Sequence, residues 1–342
     1  MRVFYVGVFP PERDGISVKN ANLFRALEAK QSDLVKVDKI DLNKIKRKNL
    51  KEIARLISVI LNRESRLIIG ISSAGKSLDA FIQLLHRLNK KCLSNSVIMV
   101  MGGNLAKEVA NDQAKIKGLT QAKRLFVETE QMRQDFCKIG VQKVSIYPNC
   151  RFQPEMEYRV SVNKGKPVRC LFFSDISKEK GSDIALAAAA KLKETISIDF
   201  YGKIKEDYKK EFTSEIELVE NAVYRGLFRG TVEETYKLMN EYDILVFPSR
   251  WRNEGVPGTL IEAKIAGLAI IASDICYNKE IVEDQVDGII LKENTVEMLV
   301  EKLKCLDQNR DLLHQLKQGS LESSSKFYVE SYCDYVLDEV IK

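Results

Sequence analysis

The chain has only two histidines and one tryptophan in 342 residues. Chemistry that runs on a histidine triad or on several histidine metal ligands has little to draw on. His86 sits in a helical pattern, LLHRLNKK, and His314 lies in the C-terminal region; both read as structural or exposed. Cys92, Cys137, Cys150, Cys170, Cys276, Cys305 and Cys333 are scattered, odd in number and form no C-x-x-C. That argues against a disulfide framework or a zinc site, and most of them read as buried small hydrophobes. No apolar run approaches the roughly 20 residues of a membrane-spanning helix. The N-terminus, MRVFYVGVFPPERDG, lacks the long apolar core and small-residue cleavage site of a secretory signal, so the expected location is cytoplasmic. Neither D-x-D nor G-x-G-x-x-G occurs. A metal-held diphosphate site of the first kind and a dinucleotide fingerprint are therefore not indicated.

What is present is a soluble, globular composition, 45% hydrophobic and 30% charged. The charge is uneven. Residues 1–150 carry 27 Lys and Arg against 14 Asp and Glu, an excess of +13, and the remainder carries 27 against 34, a net −7. A basic first half suits an anionic partner, such as a membrane surface or a phosphate-bearing substrate. Nucleic acid is not expected, because the aromatic platforms of single-strand binders are missing.

The length suits two domains of roughly 150 residues each. Apolar, β-branched runs occur at 2–8, 35–42, 66–71, 96–101, 124–128 and 144–148, with helical patterns near 18–30, 50–63, 77–90, 103–117 and 130–139. Such alternation predicts a parallel sheet covered on both faces. Residues 153–167 (QPEMEYRVSVNKGKP) read as a linker. A second alternation then begins, with strands at 168–173, 196–201, around NAVYRGL, 243–247, 268–272 and 288–291, and helices at 182–193, 232–241 and 258–266. Thr231 with Glu234 forms a capping-box signature. The expected architecture is α/β: two Rossmann-like doubly wound domains, 1–152 and 153–325, with a cleft between them at the C-terminal ends of the strands. An amphipathic helix at 326–342 is expected to pack back on the first domain. Helix 50–63 has an apolar stripe of Leu50, Ile53, Leu56, Ile57, Ile60 and Leu61 behind basic residues at 44–51. Its plain reading is a core-facing helix; its sharper reading is contact with an anionic membrane leaflet.

The most informative stretch is DILVFPSRWRNEGVPGTLIEAKIAG, residues 243–267. A buried strand ends at Phe247, a loop follows, and a helix starts near Gly258 and stops at Gly267. The free N–H groups of Gly258, Thr259 and Leu260, with the helix dipole, make an anion site suited to a diphosphate. Pro257 sets the entry of the helix. Glu254 lies just before this site and Glu262 about one turn into the helix; carboxylates there suit sugar hydroxyls. The first loop, FPPERDGISVKN, contains Gly15, which would let backbone approach a phosphate.

Glu254-Gly255-Val256-Pro257-Gly258-Thr259-Leu260-Ile261-Glu262 resembles the E-x7-E motif of glycosyltransferase family 4, retaining enzymes of the GT-B fold. RLFVETEQM, IYPN and FFSDISKEKG are similar to the end of that family's first domain and the opening of its second, and MGGN at 101–104 resembles members that build surface polysaccharides. The resemblance implies an acceptor-binding first domain and a nucleotide-sugar-binding second. It implies that Glu254 contacts the transferred sugar, Glu262 the donor ribose, the segment Gly255 to Leu260 the donor, and Lys180 the diphosphate. Gly202, Leu227 and Phe228 are expected beside the base, which among such relatives is commonly uridine, and Asn104 beside the sugar. No metal and no cofactor is implied. Two departures stand out: Asp175 occupies the place of a family arginine, with Lys178, Arg250 or Arg252 as substitutes, and the family's catalytic-site histidine is missing. The expected function is hexose transfer, with retention, from a nucleotide sugar to a hydroxyl of a surface glycan or lipid-linked acceptor, by a protein peripheral on the inner face of the membrane. The alternatives are a non-catalytic scaffold for a partner transferase and a hydrolase using Glu254 and Glu262 as paired carboxylates.

Overall fold

The computed structural model describes residues 1–10, 15–70, 77–162, 165, 167–252 and 255–342. They form two units, Met1–Gln153 with Phe327–Lys342, and Pro154–Lys326.

The first unit holds a six-stranded sheet of β1 (Arg2–Gly7), β2 (Lys36–Asp41), β3 (Arg66–Gly70), β4 (Val97–Met99), β5 (Arg124–Val127) and β6 (Val144–Ile146). The strands lie in the order β2-β1-β3-β4-β5-β6, and every pairing is parallel. The burial that parallel strands need on both faces explains their Val, Ile and Leu content. The final helix, Glu330–Ile341, packs into this unit's core through Cys333, Val336, Leu337 and Val340. It is pinned by reciprocal backbone bonds, Arg151 N–H to Phe327 O and Val329 N–H to Arg151 O, both 2.8 Å.

The second unit repeats the plan with β7 (Val168–Phe173), β8 (Ile196–Tyr201), β9 (Ala222–Gly226), β10 (Ile244–Phe247), β11 (Ala269–Ser273) and β12 (Gly288–Leu291). The order is β12-β11-β10-β7-β8-β9, again all parallel. The chain runs outward from β7 to β9, then returns to β7's other side to begin β10. The β7/β10 boundary is therefore this sheet's topological switch point. The capping box forms as the sequence predicts, with Thr231 Oγ1 and Glu234 each accepting the other's backbone N–H.

Three local expectations change. The pattern at 103–117 is two helices, Leu105–Val109 and Gln113–Gln121. Asp112 starts the second by accepting the Ala114 and Lys115 N–H groups at 3.1 Å, which ends the first. The helix Leu50–Leu61 faces the core only in part: Val59 and Ile60 are buried and Ile53 and Leu56 half-buried, while Leu50, Ile57 and Leu61 are 78%, 51% and 63% exposed. The helices Val296–Gln308 and Arg310–Ser323 are not among the expected elements, although Leu299, Leu303 and Leu306 in the first and Leu313, Leu316 and Ser320 in the second recur at helical spacing. Asn309 joins them; its N–H closes the first and its side chain caps the second. Four of the seven cysteines (Cys92, Cys150, Cys170 and Cys333) are buried. Among the described residues, no helix is long and apolar enough to cross a membrane.

Candidate active site at the strand ends

In the second unit, the loops after β7 and β10 meet across the switch point, where open α/β sheets bind ligands. The β7 loop ends in a 3-10 turn, Lys178–Lys180, started by Ser177, whose Oγ accepts the Lys180 N–H at 3.3 Å. Gly181 then turns the chain left-handed (φ 78°) into the helix Ser182–Lys191. A Cβ on Gly181 would lie 2.0 Å from Pro248 O, so the glycine lets the two loops touch. Arg250 ties them further. Its N–H donates to Glu179 O at 2.7 Å, Nη1 to Lys178 O at 3.0 Å and Nη2 to Asp183 Oδ2 at 2.5 Å. Asn294 Nδ2 holds Pro248 O and Ser249 O at 2.8 and 3.0 Å, and Ser273 Oγ holds Ser249 O at 2.7 Å. Sequence reasoning missed Asn294 and Ser273, because their partners are backbone oxygens far away in sequence.

Beyond the β10 loop, Val256 and Pro257 are buried and Gly255 is half-buried. The helix Gly258–Ile265 then begins with Pro257 as N-cap and no side-chain cap. Its first amides, on the half-buried Gly258 and Thr259 and the buried Leu260, thus receive no capping side chain among the described residues. Glu262 is half-buried on the next turn. Glu254, the first residue of the motif, lies outside the described residues. Lys180 is half-buried at the end of the 3-10 turn.

The substitutes considered for the position of Asp175, itself exposed, are separated by the structure. Lys178 pairs with Glu211 at 2.7 Å, whose hydrogen bond raises its ammonium above the ordinary value. Arg250 is engaged with Asp183, as above. Arg252 is exposed and has no ion pair among the described residues. Glu179 is held below the usual carboxylate range first by its own backbone N–H, then by the Ser177 hydroxyl and by Lys205.

The rim beyond β8 and β9 is aromatic. Phe173, Tyr201 and Phe228 meet with ring centroids 6.0 to 6.1 Å apart, and Leu227 beside them is 52% exposed. The FF and FY endings of β7 and β8 carried this signal. Gly202 follows β8 where a Cβ would lie 1.8 Å from Ser174 O. Gly202→Ala therefore forces the β7 and β8 loops apart, and is expected to cost about 2–3 kcal/mol, within the range for overpacking. Gly15, by contrast, opens the helix Gly15–Ala29 with nothing among the described residues within 4 Å of an added Cβ. Gly15→Ala is expected to be neutral or stabilising by a few tenths of a kcal/mol. Urea unfolding of both variants checks the contrast.

In the first unit, the fully buried Asn20 joins the ends of β1 and β3. Its Nδ2 donates to Val8 O at 2.9 Å and Gly70 O at 2.8 Å, and its Oδ1 accepts the Tyr5 hydroxyl at 2.9 Å. Glu128, directly after β5, forms a buried ion pair with Lys19. Asn104 is the N-cap of Leu105–Val109 but makes no capping bond.

Residues 155–322 match the model of the family described as Glycosyl transferases group 1. An uncharacterized glycosyltransferase of Methanocaldococcus jannaschii is 24% identical over 96% of this chain and 94% of its own length. The UDP-Gal:alpha-D-GlcNAc-diphosphoundecaprenol alpha-1,3-galactosyltransferase of Escherichia coli is 28% identical over 102 residues, 30% of this chain. That match spans only 25% of the Escherichia coli protein's length. Among solved structures, Anabaena HepE in complex with UDP has a TM-score of 0.70 at 14% identity, covering 99% of each chain.

Proposed function

We propose that this GT-B-fold glycosyltransferase, whose residues 155–322 match the glycosyl transferases group 1 model, moves a hexose from a UDP-sugar to a hydroxyl of a surface glycan or lipid-linked acceptor, with retention at the anomeric carbon. The observation that carries this reading is the junction of the β7 and β10 loops across the switch point, with the uncapped start of Gly258–Ile265 beside it. The donor diphosphate lies on the amides of Gly258, Thr259 and Leu260. Lys180 offsets the negative charge that builds on its oxygens as the sugar–phosphate bond breaks. Glu262 accepts from the ribose hydroxyls and Glu254 from those of the sugar. The base rests against Gly202, Leu227 and the rim of Tyr201 and Phe228, where a flat aromatic ring finds apolar edges. No metal and no cofactor takes part. A lipid-linked acceptor is supported by the acceptor in the Escherichia coli relative's name, and a UDP donor by that name and by the UDP held in the Anabaena structure.

The protein works at an anionic membrane surface. The exposed Leu50, Ile57 and Leu61, behind the basic run Lys44, Lys46, Arg47, Lys48 and Lys51, have the pattern of a helix lying in the headgroup region. A panel of UDP- and GDP-sugars should yield one UDP-sugar that raises Tm and is consumed with an extracted lipid-linked acceptor. No shift and no turnover across the panel would sink the reading. The purified protein should also sediment with phosphatidylglycerol vesicles, and the Ile57→Gln/Leu61→Gln double variant should not.

A further inference from the structure

The first unit has a second anion-suited feature, at the opposite end of its sheet from the loops that follow the strands. Lys123 and Lys143 immediately precede β5 and β6 and therefore lie at the strands' N-terminal ends. Together with Lys117 and Thr120 of the helix Gln113–Gln121, Lys90 at the start of the helix Lys90–Ser94, and His86 of Ser77–Leu88, they line a cavity of about 560 Å³. Among the described residues, no carboxylate lines it. Nearby lysines are paired in the ordinary way, Lys91 with Glu64, Lys115 with Asp112 and Lys138 with Asp135. The four lysines of the cavity have no ion pair among the described residues.

Four like charges around one opening repel one another, and a solvated surface ordinarily relieves this by interleaving acids. His86 lines the cavity, although its Nδ1 is closed to solvent. Burial, followed by the charge of Arg66, lowers the Lys123 ammonium pKa from its ordinary value. A multiply charged anion relieves the repulsion, because its oxygens accept from several ammonium groups and the Thr120 hydroxyl together. Lysine suits such a ligand as a point charge on a flexible stem, without the fixed fork a single carboxylate would favour.

We infer that this cavity is a binding site for a phosphate-dense anion, distinct from the donor site of the second unit. Either a free di- or polyphosphate group or the headgroup of an anionic phospholipid supplies that chemistry. The test compares the full-length chain with its Lys117→Gln/Lys143→Gln variant; both lysines are exposed, so the variant should fold with an unchanged Tm. Calorimetric titration with inorganic pyrophosphate and sedimentation with phosphatidylglycerol vesicles are run in parallel at 150 mM salt. A tenfold or greater weakening of pyrophosphate binding identifies the free-phosphate source. The same weakening confined to vesicles identifies the headgroup. The inference is overturned if wild type binds neither probe, or if the variant binds both as wild type does. Because both substitutions lie in the first unit, loss of the donor reading would leave this comparison intact.

Discussion

Glu254→Ala is expected to lower kcat for sugar transfer by about 10²- to 10³-fold, with donor Kd changed only a few-fold, as measured in steady-state and binding assays on the same preparation. The argument starts from chain position. Glu254 stands four residues before Gly258, where the helix with uncapped amides begins. On the proposed donor reading, a carboxylate there accepts from the part of the donor beyond the diphosphate. During transfer the sugar gains positive character and its hydroxyls polarise, so a carboxylate accepting from them binds the transition state more tightly than the ground state. On the same reading Lys180→Ala removes the charge beside the leaving diphosphate, and should lower kcat by a similar factor. Glu262→Ala should instead raise donor KM about tenfold and change kcat less, since the ribose does not react. The split between kcat and KM is the discriminating readout. A Glu254→Ala enzyme within threefold of wild-type kcat would remove Glu254 from the reaction, and equal effects of all three variants on Tm would point to folding instead.

Lys264→Ala is expected to destabilise the second unit by about 3–5 kcal/mol, the usual cost of leaving a buried partner charge uncompensated. Lys264 projects from the motif helix itself, yet it is 1% exposed. Its ammonium donates to Asp287 Oδ2 and, at 2.8 Å, to Ser323 Oγ. Asp287, 2% exposed, also accepts the Glu283 N–H at 2.8 Å and the Ser323 hydroxyl at 3.0 Å. One carboxylate thus joins the helix Gly258–Ile265, the loop before β12 and the helix Arg310–Ser323. Burial lowers the Lys264 ammonium pKa from its ordinary value, with Asp287 opposing that shift. Lys264→Met with Asp287→Asn removes both charges but keeps an acceptor for Glu283, and should recover at least half of the loss. Urea denaturation of the single and double variants completes the cycle. A cost of less than 1 kcal/mol for Lys264→Ala would mean that water or a neighbouring group compensates Asp287.

Much of this was legible in the order of residues. β-branched runs spaced by amphipathic segments gave all twelve strands to within a few residues, because a strand buried on both faces must be apolar throughout. The strand–loop–helix turn at 243–267 was equally clear, since Pro257, Gly258 and Gly267 mark backbone limits that are local. Chain position alone placed Lys180 after β7 and the E-x7-E segment after β10. That these two strands are neighbours was not local information. It follows from pairing Ile244 with Cys170 and Leu245 with Leu171 across more than seventy residues.

Three features were decided only in three dimensions. Whether the stripe on Leu50–Leu61 faces inward depends on what packs against it, and a helical period cannot say; the fold leaves Leu50, Ile57 and Leu61 outside. The roles of Lys178 and Arg250 depend on which acid lies nearest, and Glu211 and Asp183 claim them. The basic cavity gathers lysines from four separated segments, each unremarkable in its own neighbourhood. The sequence by itself determined the two sheets, the family motif and the glycine turns, because hydrophobic period and backbone limits act over a few residues. The tertiary structure decided which loops meet, which charges are paired and which apolar faces stay open, because those depend on contacts between segments distant along the chain.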